Sequence, residues 1–116
     1  MSKYQDLLVW QKSILLVEEV YKVTRQLPKE EMFALGDQLR RAVVSVPSNI
    51  AEGQNRGSNK EVIQFCGIAL GSLAEAETQL IIAQKLYEID IETAFGLSRE
   101  VNRMLIALIK ALRLKK

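Results

Sequence analysis

The sequence predicts an all-α domain of four helices, and three observations carry that prediction. Apolar residues recur with a helical period in four successive stretches. Helix punctuation separates them: Pro28, then Gly53 to Gly57 followed by Ser58-Asn59-Lys60-Glu61, then Asp90. Aromatic residues make up only 6% of the chain, and strands favour aromatic and β-branched residues. At 116 residues there is length for a single domain with one core, spanning residues 1–116. Hydrophobic content of 48% against 26% charged is that of an ordered soluble domain.

The first helix is expected from about Tyr4 to Gln26, with Pro28 beyond its end. It carries two apolar stripes. Trp10, Ile14, Val17 and Tyr21 form one; Val9, Leu16, Val20, Val23 and Leu27 form the other. A helix on the surface of a monomer needs one stripe. The second is buried either within a central position of the bundle or on another chain.

The second helix opens near Lys29-Glu30-Glu31, where acidic residues suit the positive end of the helix dipole. Met32, Leu35, Leu39, Val43, Val46 and Ile50 make its core stripe. Opposite lies a long polar stripe: Arg41, Ser45, Ser48, Asn49, Glu52 and Arg56. Pro47 falls inside the pattern, where it leaves the Val43 carbonyl without its donor and predicts a kink. Ser45 and Ser48 flank it and are placed to bond freed backbone groups. The core stripe keeps its phase across Pro47, which favours one kinked helix over two short ones. Gly53 is read as the left-handed stop.

Ser58 and Glu61 form a capping box that starts the third helix, expected from about Asn59 to Tyr87. Val62, Phe65, Ala69, Leu73, Ala76, Leu80 and Tyr87 give its core face. Gly67, Gly71, Ala74 and Thr78 form a second stripe of small residues, which suggests close approach by another helix. Glu75 and Glu77 point in different directions and are read as solvated or salt-bridged rather than as an acid/base pair.

Asp90 is the expected N-cap of the fourth helix, with Ile89 and Ala94 as a hydrophobic staple. Leu97, Val101, Met104, Leu108, Ala111 and Leu112 are placed on the core. Arg99, Arg103, Lys110 and Arg113 share an arc of about 80° on the other side. Lys115 and Lys116 extend the charge, and residues 90–116 hold six basic and three acidic residues. That basic stripe fits nucleic-acid phosphates. The plainer reading is a solvated face, with cations favoured at a helix C-terminus. Ile106 interrupts the stripe; Leu105 and Ile109 beside it read as a partner-facing patch or a broader core face.

Composition narrows the chemistry. No histidine is present, so the commonest general base and the commonest metal ligand are both missing. Cys66 is the single cysteine, which excludes an intrachain disulfide. There is no phosphate-binding glycine loop, no activated serine and no Glu-x-x-His motif. The expectation is no catalytic residue, no metal and no cofactor. No apolar run suggests a signal peptide or a membrane span, so the expected location is the cytoplasm, away from the membrane.

One block adds to this reading. Gln38-Leu39-Arg40-Arg41-Ala42, Ser45-Val46-Pro47-Ser48-Asn49-Ile50-Ala51-Glu52-Gly53, Arg56, Ser58, Glu61, Phe65, Ile68-Ala69 and Gly71-Ser72-Leu73-Ala74-Glu75 resemble the bacterial family of 23S ribosomal RNA intervening-sequence proteins. Leu8-Val9-Trp10-Gln11-Lys12 fits the same pattern. Cys66 departs from it at a position where leucine is common. A more distant resemblance is to the accessory proteins of diversity-generating retroelements. The resemblance implies an antiparallel up-down four-helix bundle that assembles into a homopentamer. The retroelement proteins bind a reverse transcriptase and nucleic acid through a markedly basic surface; the net charge of +2 here departs from that.

The leading expectation is a non-enzymatic homo-oligomer that binds RNA or a ribonucleoprotein. Arg99, Arg103, Lys110 and Arg113 would touch phosphates, and Arg41, Ser45, Ser48, Asn49, Glu52 and Arg56 would form an interface. The second is a protein-interaction scaffold without nucleic-acid contact. The third and weakest is a metal-dependent nuclease using Glu52.

Overall fold

Four α-helices follow one another: α1 (Leu8–Thr24), α2 (Leu35–Arg56), α3 (Asn59–Tyr87) and α4 (Glu92–Arg113). They belong to a computed structural model that describes residues 3–115, so Lys116 of the expected basic end lies outside the described residues. Each helix packs on its neighbours in sequence, and α1 and α4 close the ring. The result is a four-helix bundle of 49 × 20 × 19 Å, its length set by the 29 residues of α3.

The core is the overlap of four stripes. Leu16 and Val20 of α1, Leu39, Val43 and Val46 of α2, Leu73 and Leu80 of α3, and Val101 and Leu105 of α4 are fully buried. The second stripe of α1 sits on the flank of the bundle, where Trp10, Val17 and Tyr21 are half-buried against this core.

The boundaries depart from the sequence reading in instructive places. Tyr4–Asp6 is a separate 3-10 turn, and Leu7 is extended before α1 begins. Lys29–Glu31 is a 3-10 turn as well, so α2 starts only at Leu35. Met32 therefore lies in the connection and is exposed rather than part of the core stripe. The α2 helix runs unbroken through Pro47 to Arg56, so two short helices are ruled out. The Ser48 hydroxyl donates to the Val44 carbonyl, one residue past the carbonyl that Pro47 frees, and Ser45 is engaged elsewhere.

Gly53 does not stop α2. It is buried inside the helix, and the left-handed stop is Gly57, with φ +86°. A Cβ on Gly53 would lie 2.8 Å from the Phe65 Cβ and 3.3 Å from the Val62 Cα. Glycine is there so that α2 and α3 can touch. Their contacts run in opposite order along the two helices: Gln38 with Gln79, Ser45 with Ser72, Gly53 against Phe65. The capping box forms as expected, the Ser58 hydroxyl accepting from the Glu61 N–H at 3.2 Å.

At the other end of α3, Glu88 caps the helix at φ 55° and ψ 36°. A left-handed backbone costs a non-glycine residue about 1 kcal/mol. Replacing Glu88 with Gly is expected to raise stability by up to about 1 kcal/mol, less the entropy that glycine gains in the unfolded chain. Urea unfolding of the variant beside wild type measures it; a clear loss would contradict the cap geometry. Asp90 is not the N-cap of α4: Ile91 holds that position, and the Asp90 carboxylate accepts from the Glu92 N–H at 2.9 Å from one residue earlier. Ile89 and Ala94 are both buried in the core, but with Ile91 as N-cap they do not occupy the staple positions.

The α4 helix is rotated from the expected phase. Its buried residues are Ala94, Ser98, Val101, Leu105 and Ile109. Leu97, Met104, Leu108 and Leu112 sit on the flank, and Ala111 is exposed. At 100° per residue this turns the core face by roughly 80°. Leu105 and Ile109 thus belong to the core and not to a partner-facing patch.

Candidate functional site

The polar residues of α2 do not make one continuous site. Arg41 is exposed and reaches back to Asp37 at 3.5 Å within its own helix. Asn49 donates through Nδ2 to the Ser45 hydroxyl and to the Ser45 carbonyl, both at 2.8 Å. The Ser72 hydroxyl of α3 donates to the same Ser45 oxygen at 2.9 Å. Ser48 faces outward and bonds only its own helix. Glu52 and Arg56 pair at 2.8 Å near the end of α2.

Two clusters result. The first is a shallow groove of about 340 Å³ between α2 and α3, lined by Gln38, Arg41, Ser45, Ser72, Glu75 and Gln79. Sequence reasoning placed Arg41 and Ser45 there but missed the α3 half. Ser72, seven residues before Gln79, lies on the flank of the α3 core stripe, and that phase was the available signal. Gln79 donates weakly to the Gln38 side chain at 3.4 Å, while its own Oε1 is buried without a partner.

The second cluster ties the α2–α3 turn. The Arg56 guanidinium bonds Glu52, lies 3.5 Å from the Glu61 carboxylate, and stacks 5.2 Å over the Phe65 ring. The hydrogen bond and charge of Glu52 raise the Arg56 pKa further above its ordinary value. The role of this cluster is to join two helix ends. Its groups satisfy one another, and none is set to hold a reacting atom.

Two further carboxylates are engaged. Glu77 accepts from the buried Ser98 hydroxyl at 2.6 Å, a hydrogen bond between α3 and α4 rather than an ion pair. The Tyr87 hydroxyl donates to Glu31, which raises the phenol pKa and fastens the end of α3 to the turn before α2. Among the described residues no group of three or more potential ligands could hold a metal ion.

Cys66 is buried in the core, and burial pushes its thiol up to about 11. At pH 8 it stays protonated and enclosed, and the thiolate is the reactive form. A maleimide reagent is expected to label it only after the bundle is unfolded. Rapid labelling of the native protein would overturn that placement.

Arg99, Arg103, Lys110 and Arg113 gather four cations on one face of α4. All are exposed, on the side away from the core. Among the described residues none of them is in an ion pair, whereas Lys12, Lys22, Arg40, Arg41 and Arg56 all are. Ile106, 41% exposed, lies between them.

A second surface is open as well. Gly67, Gly71, Ala74 and Thr78 line the outward face of α3, flanked by the exposed Ile68, Ile81 and Ile82. Nothing lies within 4 Å of where a Cβ on Gly67 or Gly71 would sit. The close helix approach expected for this stripe is therefore absent within the subunit. By length and apolar content alone α3 could cross a membrane, although much of its apolar surface belongs to this outward face.

Comparison with known proteins places the chain. A family model described as 23S rRNA-intervening sequence protein matches residues 5–110. A crystal structure from Bacteroides thetaiotaomicron, titled as a protein with unknown function from the S23 ribosomal protein family, superposes with a TM-score of 0.81. It is 26% identical, over 89% of this chain and 99% of that one. No curated protein matches.

Proposed function

The chain belongs to the 23S rRNA-intervening sequence protein family, and from that premise we propose that it is a non-enzymatic, homo-oligomeric bundle that binds RNA or a ribonucleoprotein in the cytoplasm. One observation carries the RNA reading: four exposed cations on one helix face, none of them paired within the described residues. Among the described residues, five other cations pair with carboxylates, while Lys3, Arg25, Lys29, Lys60, Lys85 and Lys115 do not, so what sets these four apart is their clustering on one helix face. These four leave their charge available to phosphates.

The non-enzymatic reading rests on the side chains that are present. The carboxylates best placed for chemistry are held by Arg56, Ser98 and Tyr87. The chain has no histidine to act as a base near neutral pH.

The test is binding of the purified protein to a structured ribosomal RNA fragment, followed by fluorescence anisotropy. Displacement of counterions by phosphate contacts makes affinity fall steeply with salt. With four contacts, affinity is expected to drop about 100-fold between 50 and 200 mM salt. Absence of binding at both, or an affinity indifferent to salt, would sink the proposal.

A second reading, a protein-interaction scaffold, is favoured by one specific feature, the open apolar face of α3. It predicts that partners bind through α3 and that neutralising α4 changes nothing.

A further inference from the structure

The basic face of α4 is not a continuous stripe. Arg99 and Arg103 are one helical turn apart, about 6 Å along the axis; Lys110 and Arg113 are about 4.5 Å apart. Between the pairs, Met104-Leu105-Ile106-Ala107-Leu108-Ile109 carries no charge. The pair centres are separated by about 16 Å along the helix. Of the intervening residues, Ile106 and Ala107 are exposed, and both are apolar.

Two cationic pairs with an uncharged gap fit two phosphate strands better than one. A single strand tracked along its backbone would favour evenly spaced cations and aromatic platforms for its bases. The sole aromatic of α4, Phe95, is half-buried against the core. The helix is packed on α1 and α3, so its outer face is part of a broad bundle surface and suits a wide, shallow groove better than a deep, narrow one. The A-form major groove is deep and narrow, and the B-form minor groove is only about 6 Å wide. The A-form minor groove is wide and shallow, and it is recognised by shape and phosphate contacts rather than by a base code. Ile106 and Ala107 offer no donors or acceptors to read bases, which suits that mode.

We propose that α4 lies across the minor groove of double-helical RNA, with Arg99 and Arg103 on the phosphates of one strand, Lys110 and Arg113 on those of the other, and Ile106 over the groove between them. This rests on the RNA-binding reading and specifies its substrate as duplex.

Three 20-residue probes of one sequence decide it: duplex RNA, single-stranded RNA and duplex DNA, titrated by anisotropy against wild type, R99Q/R103Q, K110Q/R113Q and I106E. Duplex RNA is expected to bind about tenfold or more tighter than either other probe. For one bundle on one duplex, each double variant should halve the salt exponent, so that affinity falls only about tenfold between 50 and 200 mM salt. The two double variants should behave alike, since each loses one strand. I106E should weaken duplex binding by placing a carboxylate in the groove. All these positions are exposed, and matching circular dichroism confirms that the variants fold. Single-stranded RNA binding as tightly as duplex would overturn the inference while leaving RNA binding intact. Equal affinity for duplex DNA would overturn it too, reducing the surface to an electrostatic one. Loss confined to one pair would refute the two-strand arrangement. No binding to any probe would instead defeat the RNA-binding reading itself.

Discussion

Replacing Gly53 with Ala is expected to destabilise the bundle by about 1–3 kcal/mol, although alanine is the better helix former. The added methyl would sit 2.8 Å from the Phe65 Cβ, where carbon atoms prefer roughly 3.5–4.0 Å. Neither that atom nor the Val62 Cα at 3.3 Å belongs to the end of a flexible side chain. Relief therefore requires α2 and α3 to move apart. That separation would also pull Arg56 from the Phe65 ring and from Glu61, loosening the turn. The intrinsic helix gain of about 1 kcal/mol only partly offsets this. Thermal unfolding should fall by roughly 4 °C for each kcal/mol lost. Gly67→Ala is the control, since its new methyl meets nothing within 4 Å and the variant should be as stable as wild type or more so. If both variants proved equally stable, the close approach of α2 and α3 at Gly53 would be wrong.

The same residue shows what the sequence can and cannot disclose. Gly53 and Gly57 are four positions apart at the end of one apolar pattern, and either could stop a helix. Only the position of α3 decides between them: Gly53 faces Phe65, and Gly57 is left to take the positive φ. Local signals fared better where the partner is local. The Ser58–Glu61 box needs only neighbouring residues, and it forms; Asp90 bonds the nearby Glu92 N–H, although the N-cap position falls to Ile91. The phase of α4 was obscured because its apolar arc is wide. Leu97, Met104 and Leu108 on one edge compete with Leu105 and Ile109 on the other, and packing against α1 and α3 selects the second set. The basic stripe was legible because exposure follows from phase, and its arc opposes either choice of core face.

The polar stripe of α2 was legible as residues but not as a site. Ser45, Asn49, Glu52 and Arg56 share a flank, which periodicity gives. Their division into a groove with Ser72 and a clasp with Glu61 depends on the register of α3, which no single-helix pattern contains. Arg41 and Ser48 stay exposed once these bonds are made, so this flank keeps hydrogen-bonding capacity but offers little apolar surface. The outward face of α3 is the larger apolar surface that the proposed self-association could use, and the expected effect of changing it is large.

Gly71→Arg is expected to leave the subunit folded and to reduce the solution mass to that of the 13.1 kDa monomer. Gly67, Gly71, Ala74 and Thr78 share an arc of about 60° on the exposed side of α3. Each interior glycine costs about 1 kcal/mol against alanine, and in the isolated subunit nothing near Gly67 or Gly71 requires that cost. A second helix packed closely from outside would require it. Exposed Ile68, Ile81 and Ile82 on both sides supply apolar surface for such a contact. An arginine at position 71 is a good helix former with open space around it, so the subunit should unfold no earlier than wild type. Its charge and bulk would nevertheless hold a neighbouring backbone away. Arg41→Ala should leave the mass unchanged, because Arg41 lies on α2, away from the outward face of α3. Light scattering on the three proteins distinguishes the outcomes. If Arg41→Ala released monomers while Gly71→Arg did not, assembly would run through the α2 polar stripe. A wild-type protein that is already monomeric would end the case for self-association through either face.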